Sequence, residues 1–360
     1  MKISRIGIVA ILSAVMIFGF SSFDTSVSGG TGSTYQFHST VTYLAAGTDG
    51  TAGTEATYCI FGDWPQTIKA ESVTVDETKN VTMGSMTYYL GSDSNYYAKC
   101  TENAYGGAYC RIDYTYSNGD TVAWPGENST KYFMVKPIKW RVLNPGASGN
   151  KILVAESILT ANVAYYDYDV NRTIGGKTVY PNNYEHSKIR AYLNGLSYAV
   201  KATDSDEQTT DSTYNGIGFL QTAFTSSAQS LIATTTVDNS AASTNPASNA
   251  REWNSETNDY ACEDTSDKIF LLSEKEATTS AYGFTEYVQG GEGNSRIRMT
   301  TDYAKANYAF QSTTAGEGGF WLLRSPYYDS ARFIDCDGYA SNGLDVVVKF
   351  CGVVPALSLE

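Results

Sequence analysis

Histidine is nearly missing from this sequence: His38 and His186 are the only two in 360 residues. None of the six cysteines, Cys59, Cys100, Cys110, Cys262, Cys336 and Cys351, forms a Cys-x-x-Cys pair. Zinc-ligand spacing is therefore lacking, and no metal and no cofactor is expected. No Gly-x-Ser-x-Gly elbow occurs either. His186 has no nucleophile to serve and reads as a capping or packing residue before a helix. His38 reads as incidental. Asp335-Cys336-Asp337-Gly338 has the look of a calcium-loop start, but the further ligands and the closing Glu are missing.

Positive charge is the next deficit. Lys and Arg number 25 against 38 Asp and Glu, a net charge of −13, and no basic cluster interrupts it. Nucleic-acid binding is excluded, because neutralising phosphates needs clustered cations. Adsorption to anionic lipid is disfavoured for the same reason. Long apolar runs are also scarce. Residues 6–20 form the longest, at about 15 residues too short for an ordinary membrane span.

That run follows Lys2 and Arg5 and precedes Ser21 and Ser22, the pattern of an export signal over residues 1–22. Phe20-Ser21-Ser22 is like the approach to a lipoprotein site, but Phe23 stands where the cysteine would be. Residues 23–56, rich in Ser, Thr and Gly, read as a tether, and a folded domain is expected over 57–360. The N-terminal segment is the one expected membrane contact. An even cysteine count on an exported chain permits disulfides. Cys100 with Cys110 and Cys336 with Cys351 are near enough for cross-strand pairs, with buried free thiols as the alternative.

What the chain has in excess is tyrosine, 28 residues. Tyrosine suits binding surfaces and β-structure alike. Strand character marks 81–90, 109–116, 132–143 and 151–155, with 91–130 reading as an insertion. Helical spacing marks 187–196, 219–233 and 300–308. Residues 267–272 read as a buried strand entering a helix start. The C-terminal part reads as strands over 319–324, 331–336, 344–350 and 353–359. The expected class is α+β. Trp64, Trp140 and Trp321 lie in apolar settings and are expected in the core. Arg324 is expected to pair with a scaffold carboxylate.

Six blocks carry a resemblance to a known family. They are Phe61-Gly62-Asp63-Trp64-Pro65-Gln66-Thr67, Pro137-Ile138-Lys139-Trp140-Arg141-Val142-Leu143, Ser187-Lys188-Ile189-Arg190-Ala191-Tyr192-Leu193-Asn194, Asp267-Lys268-Ile269-Phe270-Leu271-Leu272-Ser273, Trp321-Leu322-Leu323-Arg324-Ser325-Pro326 and Gly352-Val353-Val354-Pro355-Ala356-Leu357. In this order they resemble the bacterial surface proteins diversified by retroelements, a group that includes the treponemal variable protein. Val354 departs from the pattern, where an Arg is expected. The resemblance implies a C-type-lectin-like fold of the formylglycine-generating-enzyme type. It also implies a variable, ligand-contacting segment over residues 325–351, between fixed blocks.

Residue types give a separate test. Adenine-directed mutagenesis of AAY codons yields NNY codons, which encode no Lys, Glu, Gln, Trp or Met. All five are absent from residues 325–348, and Lys349 ends the run. Within the segment, Tyr327, Tyr328, Asp329, Ser330, Phe333, Asp335, Asp337, Tyr339, Ser341, Asn342, Asp345 and Phe350 supply the aromatic and short polar groups that a binding surface uses. The expectation is a non-enzymatic, exported binding protein at the cell surface or outer membrane, facing a protein or glycan ligand. Two alternatives share the fold. One is a thiol oxidase using Cys336 and Cys351, whose thiolates the neighbouring Asp335 and Asp337 would disfavour. The other is a non-variable envelope or adhesin component.

Overall fold

The computed structural model describes residues 35–44, 57–105, 114–122, 129–201, 208–244, 262–284, 294–328 and 330–360. All of them belong to the unit Ser33–Glu360. The segment expected as an export signal and most of the expected tether, with Cys110, Trp253 and Asp329, lie outside the described residues.

A nine-stranded sheet dominates, and its centre is the strand Thr130–Val142. On one side this strand pairs antiparallel with Tyr58–Ile68 along nearly its whole length. On the other it pairs with Tyr96–Thr101 at one end and with Lys151–Ala155 at the other. The sheet continues through the hairpin Val75–Met83 and Met86–Gly91. In the opposite direction it runs through the C-terminal strand Ala356–Leu359 to Ile269–Phe270. The chain end is thus stitched into the sheet between two earlier segments. The architecture is sheet-rich α+β with short helices.

Two glycines make the sheet's contacts possible. Gly62 interrupts the register of Tyr58–Ile68 with φ +68°, and a Cβ there would lie 2.5 Å from the Phe224 ring. Gly84, with φ +52°, turns the 75–91 hairpin against Thr222, leaving no room for a side chain.

Trp64, Trp140 and Trp321 are fully buried, as their apolar flanks led us to expect. Each indole N–H reaches a carbonyl: Leu159 at 2.9 Å, Phe61 at 2.7 Å and Arg296 at 3.1 Å respectively. Many tyrosines are buried as well, among them Tyr88, Tyr97, Tyr116, Tyr165, Tyr184 and Tyr303. Several give their hydroxyl to a carboxylate: Tyr97 to Asp93 at 2.7 Å, Tyr116 to Glu102 at 2.5 Å, and Tyr198 to Asp167. Much of the tyrosine excess therefore packs the domain, and its polar tips are satisfied by the abundant acids.

Several expectations change. Residues 91–130 are not a mere insertion, because Tyr96–Thr101 is an integral strand of the main sheet. The expected helix over 219–233 is two helices, Phe219–Ala223 and Ser226–Leu231. Phe224 is extended between them and packs its ring 5.0 Å from Phe61, while Thr225 caps the second helix. The strand expected over 344–350 ends early: Ala340–Leu344 is the strand, and irregular chain follows.

Residues 35–44, expected as part of a tether, are docked on the domain. Thr42–Tyr43 pairs with Tyr58–Ile68, and Phe37 stacks on Tyr96 at 5.8 Å. His38 is not incidental. Its Nδ1 lies 2.8 Å from Asp63, whose carboxylate also accepts from the His38 amide at 2.6 Å and from Tyr35 at 2.5 Å. Asp63 is 2% exposed, so burial supplies the reason for the docking: a buried carboxylate needs those donors. Among the described cysteines, Cys59, Cys100, Cys262, Cys336 and Cys351 are free thiols, so Cys336 and Cys351 form no cross-strand disulfide.

Candidate functional site

Residues 321–344 form a separate three-stranded antiparallel sheet: Trp321–Tyr327, Ser330–Ile334 and Ala340–Leu344. The first strand is buried from Trp321 to Pro326. After Ser330 the middle strand is apolar except for Arg332, which is 3% exposed. A charge in such a strand needs a partner. It finds Glu274, with Nε 2.8 Å from one carboxylate oxygen and Nη1 3.2 Å from the other. Arg324 in the first strand is bonded to Glu276, and its Nη1 also reaches the Leu271 carbonyl at 2.8 Å. The expected ion pair of Arg324 is thus present.

Both counter-ions come from one short helix, Glu274–Ala277. Ser273 and Glu276 close a capping box there, so the Ser-Glu-Lys-Glu start forms as its sequence suggested. Ser325 ties the two elements together. Its hydroxyl accepts from the Glu274 amide at 2.8 Å and donates to the Thr244 carbonyl at 2.6 Å.

The turns of this sheet are also pinned. Tyr328 takes a left-handed φ of 50°, which is strained for a residue with a side chain. The Asn182 amide holds that turn by donating to the carbonyls of Tyr328 at 2.6 Å and Ser330 at 2.8 Å. At the other turn the Tyr339 amide donates to Asp335 at 3.0 Å and Asp337 at 2.8 Å, and Arg296 grips the Gly338 carbonyl at 2.7 Å. Burial, then the neighbouring Asp337 carboxylate, pushes Asp335 up to about 7.

The expected contact residues fall into two groups rather than one face. Pairing of Tyr327 with Ser330 and of Ala331 with Leu344 gathers Tyr327, Tyr328, Ser330 and Asp345 at one end. There Tyr328 is 40% exposed, Asp345 is exposed, and Tyr327 is half-buried under Arg332. Asp335, Asp337 and Tyr339 are half-buried at the opposite end, and Ser341 is half-buried nearby. From Ser330 to Asp335 the strand takes five steps of about 3.3 Å, which separates the groups by roughly 17 Å. Phe333 is corrected: it is 9% exposed, belongs to the core and packs against Phe320. Phe350 is engaged in packing too, 4.4 Å from the Tyr105 ring. The Asn342 side chain lies outside the described residues. Sequence reasoning missed Arg332, Glu274 and Asn182; the signal for Arg332 was a lone charge between Ala331 and Phe333.

The two thiols of the oxidase alternative are held protonated. Burial pushes Cys351 well above its ordinary range. Cys336 is pushed up to about 12 by burial and then by Glu317. Thiolate chemistry is disfavoured at both. Among the described residues, no helix is long and apolar enough to cross a membrane.

No curated protein and no solved structure matches the chain. Residues 148–360 match the model of a family described as a domain of unknown function, DUF6273. That region holds the whole three-stranded sheet, its anchoring helix and the strands that close one side of the main sheet, while the strands from Tyr58 to Val142 precede it. Because the match covers more than half of the sequence, the protein belongs to the DUF6273 family.

Proposed function

We propose that this protein is an exported, non-enzymatic binding protein that presents the ends of its three-stranded sheet to a protein or glycan ligand. In this reading the frame is of the C-type-lectin type and the segment over 325–351 is the diversified part. The Tyr327–Ser330 turn with Asp345 forms the principal contact surface, and the Asp335–Tyr339 turn forms a second patch.

One observation supports the reading above the others. The middle strand buries Ala331, Arg332, Phe333 and Ile334, whereas Tyr328 and Asp345 at the sheet's end are exposed. Backbone position is therefore decided by buried groups, and end residues are left for contact. Surface substitutions away from such features usually change stability by about 0.5 kcal/mol or less, so the ends can vary without loss of fold.

Sequencing the gene's 3′ segment across a population of cells tests this. The expected result is variation concentrated at Tyr327, Tyr328, Asp337, Tyr339, Ser341 and Asp345, with Arg324, Arg332 and Ile334 constant. A nearby reverse-transcriptase gene and a near-copy template of the segment are also expected. An invariant segment with no template copy would overturn diversification and leave a fixed adhesin.

A further inference from the structure

Several arginines of the domain meet carboxylates. Arg190 lies 2.8 Å from Asp267, Arg332 2.8 Å from Glu274, Arg298 3.9 Å from Glu156, and Arg324 is bonded to Glu276. Arg172 differs. It is 1% exposed, yet no carboxylate among the described residues pairs with it. Its Nη1 donates to the carbonyls of His186 at 2.9 Å and Ala199 at 2.8 Å. Its guanidinium lies 3.8 Å from the centre of the Tyr166 ring, and Nε and Nη2 have no hydrogen-bond partner. A buried cation with no opposite charge is costly, and here it stands in a protein of net charge −13.

His186 and Ala199, whose carbonyls Arg172 grips, both line a cleft of about 270 Å³. Glu185, Arg190, Ser197 and Thr210 are among the other residues that line it. Arg172 is buried and is not itself a lining residue. At His186 burial is the largest influence and lowers the imidazole; Glu185 opposes it, and the charges of Arg172 and Arg190 add to the lowering. Glu185 is the one carboxylate on the cleft wall, 3.6 Å from His186 Nε2.

We propose that this cleft binds a small oxyanion, a carboxylate or a phosphate, whose charge offsets that of Arg172. His186, Ser197 and Thr210 supply the direct contacts. Arg172 acts through its field across the backbone of His186 and Ala199, where burial weakens screening. Bound anion favours protonated His186, so binding and proton uptake at that imidazole are linked. The site is remote in sequence from the 325–351 segment and does not depend on the binding reading given above.

Two histidines in the chain make the test direct, because their imidazole signals can be followed by proton NMR on the full chain. Sodium succinate and sodium phosphate are titrated separately at fixed pH, with sodium chloride at matched ionic strength as the control. His186→Gln assigns the two signals. The expected result is a saturable shift of the His186 signal with succinate, phosphate or both, and a still His38. Response to one salt alone identifies the anion class; response to both identifies an undiscriminating oxyanion site. Thr210→Glu changes an exposed residue on the rim and is expected to weaken binding on the order of tenfold. Arg172→Gln is expected to do the same where it folds. The proposal is overturned if neither signal moves beyond the chloride control, if both drift together without saturation, or if Thr210→Glu binds as tightly as the wild type.

Discussion

The two principal sheets neutralise their acids by different means. Around the nine-stranded sheet, carboxylates meet hydroxyls and amides: buried Glu102 meets Tyr116, exposed Asp93 meets Tyr97, and buried Asp63 meets Tyr35 and the residue 38 amide. Around the three-stranded sheet they meet guanidinium groups, Glu274 with Arg332 and Glu276 with Arg324. A carboxylate that loses a tyrosine loses one hydrogen bond. An arginine that loses a carboxylate bonded to it leaves a buried charge less compensated. The small sheet is thus the more brittle of the two at its anchor and the freer of the two at its ends.

The sharpest way to break this comparison is at Glu274. Glu274→Ala takes from buried Arg332 a carboxylate bonded to it, and the expected loss is about 3–5 kcal/mol in urea unfolding. Glu102→Gln in the main sheet keeps a polar partner for Tyr116 and is expected to cost only about 1 kcal/mol. Equal losses would remove the distinction. The double change Glu274→Leu with Arg332→Met removes both charges together and is expected to restore most of the stability. Next in size is Phe333→Ala, which empties a core position of the same sheet. A fall of about 3–4 kcal/mol in the same unfolding experiment is expected, and a small one would return Phe333 to the contact surface.

Parts of this arrangement were legible in the sequence because they rest on local signals. Trp64, Trp140 and Trp321 sit among apolar neighbours, and the sheet needs such volumes. The helical spacing over 187–196 marks the helix Lys188–Asn194, and the helix start expected after 267–272 is Glu274–Ala277, capped by Ser273. The unread parts depend on contacts distant along the chain. Arg332 meets a residue 58 positions away, and the Asn182 amide reaches Tyr328 across 146. His38 gains its meaning only from Asp63, 25 residues on. The break at Phe224 follows from a ring needed beside Phe61, which overrides a helical pattern running on through Ile232. Likewise, alternation along 325–351 gave no hint that the middle strand is covered on both sides, so Phe333 looked available and the contact residues looked like one face.

A pH titration separates the two ends of the small sheet. Burial and Asp337 raise Asp335 to about 7, so the folded protein holds a proton that the unfolded chain releases. Between roughly pH 4 and 7 the folded state binds more protons, and stability therefore falls as pH rises through that window. Partial exposure of the pair limits the expected fall to about 1–2 kcal/mol. Asp337, whose carboxyl is lowered by its bond to Asp335, acts in the opposite sense and only at lower pH, where its contribution is lost as pH falls. His38, raised by Asp63, adds a fall in the same direction as Asp335 near neutrality. Asp335→Asn isolates the turn: it is expected to flatten the Asp335 part of the profile and leave the His38 part. An unchanged profile would show that the carboxyl pair titrates independently of folding.

The smallest effects are expected at the opposite end, and they bear most directly on the comparison. Tyr328→Ser and Asp345→Ser alter side chains that are exposed, whereas the Tyr328 carbonyl remains held by Asn182. Neither change creates a cavity or strands a charge, so each is expected to move stability by no more than about 0.5 kcal/mol. Asn182→Leu supplies the contrast, because it leaves two carbonyls of the strained turn without their donor and is expected to cost about 1–3 kcal/mol. If Tyr328→Ser proved as damaging as Asn182→Leu, the ring itself would be holding the turn. The end of the sheet would then be a structural element and unable to vary, however exposed it is.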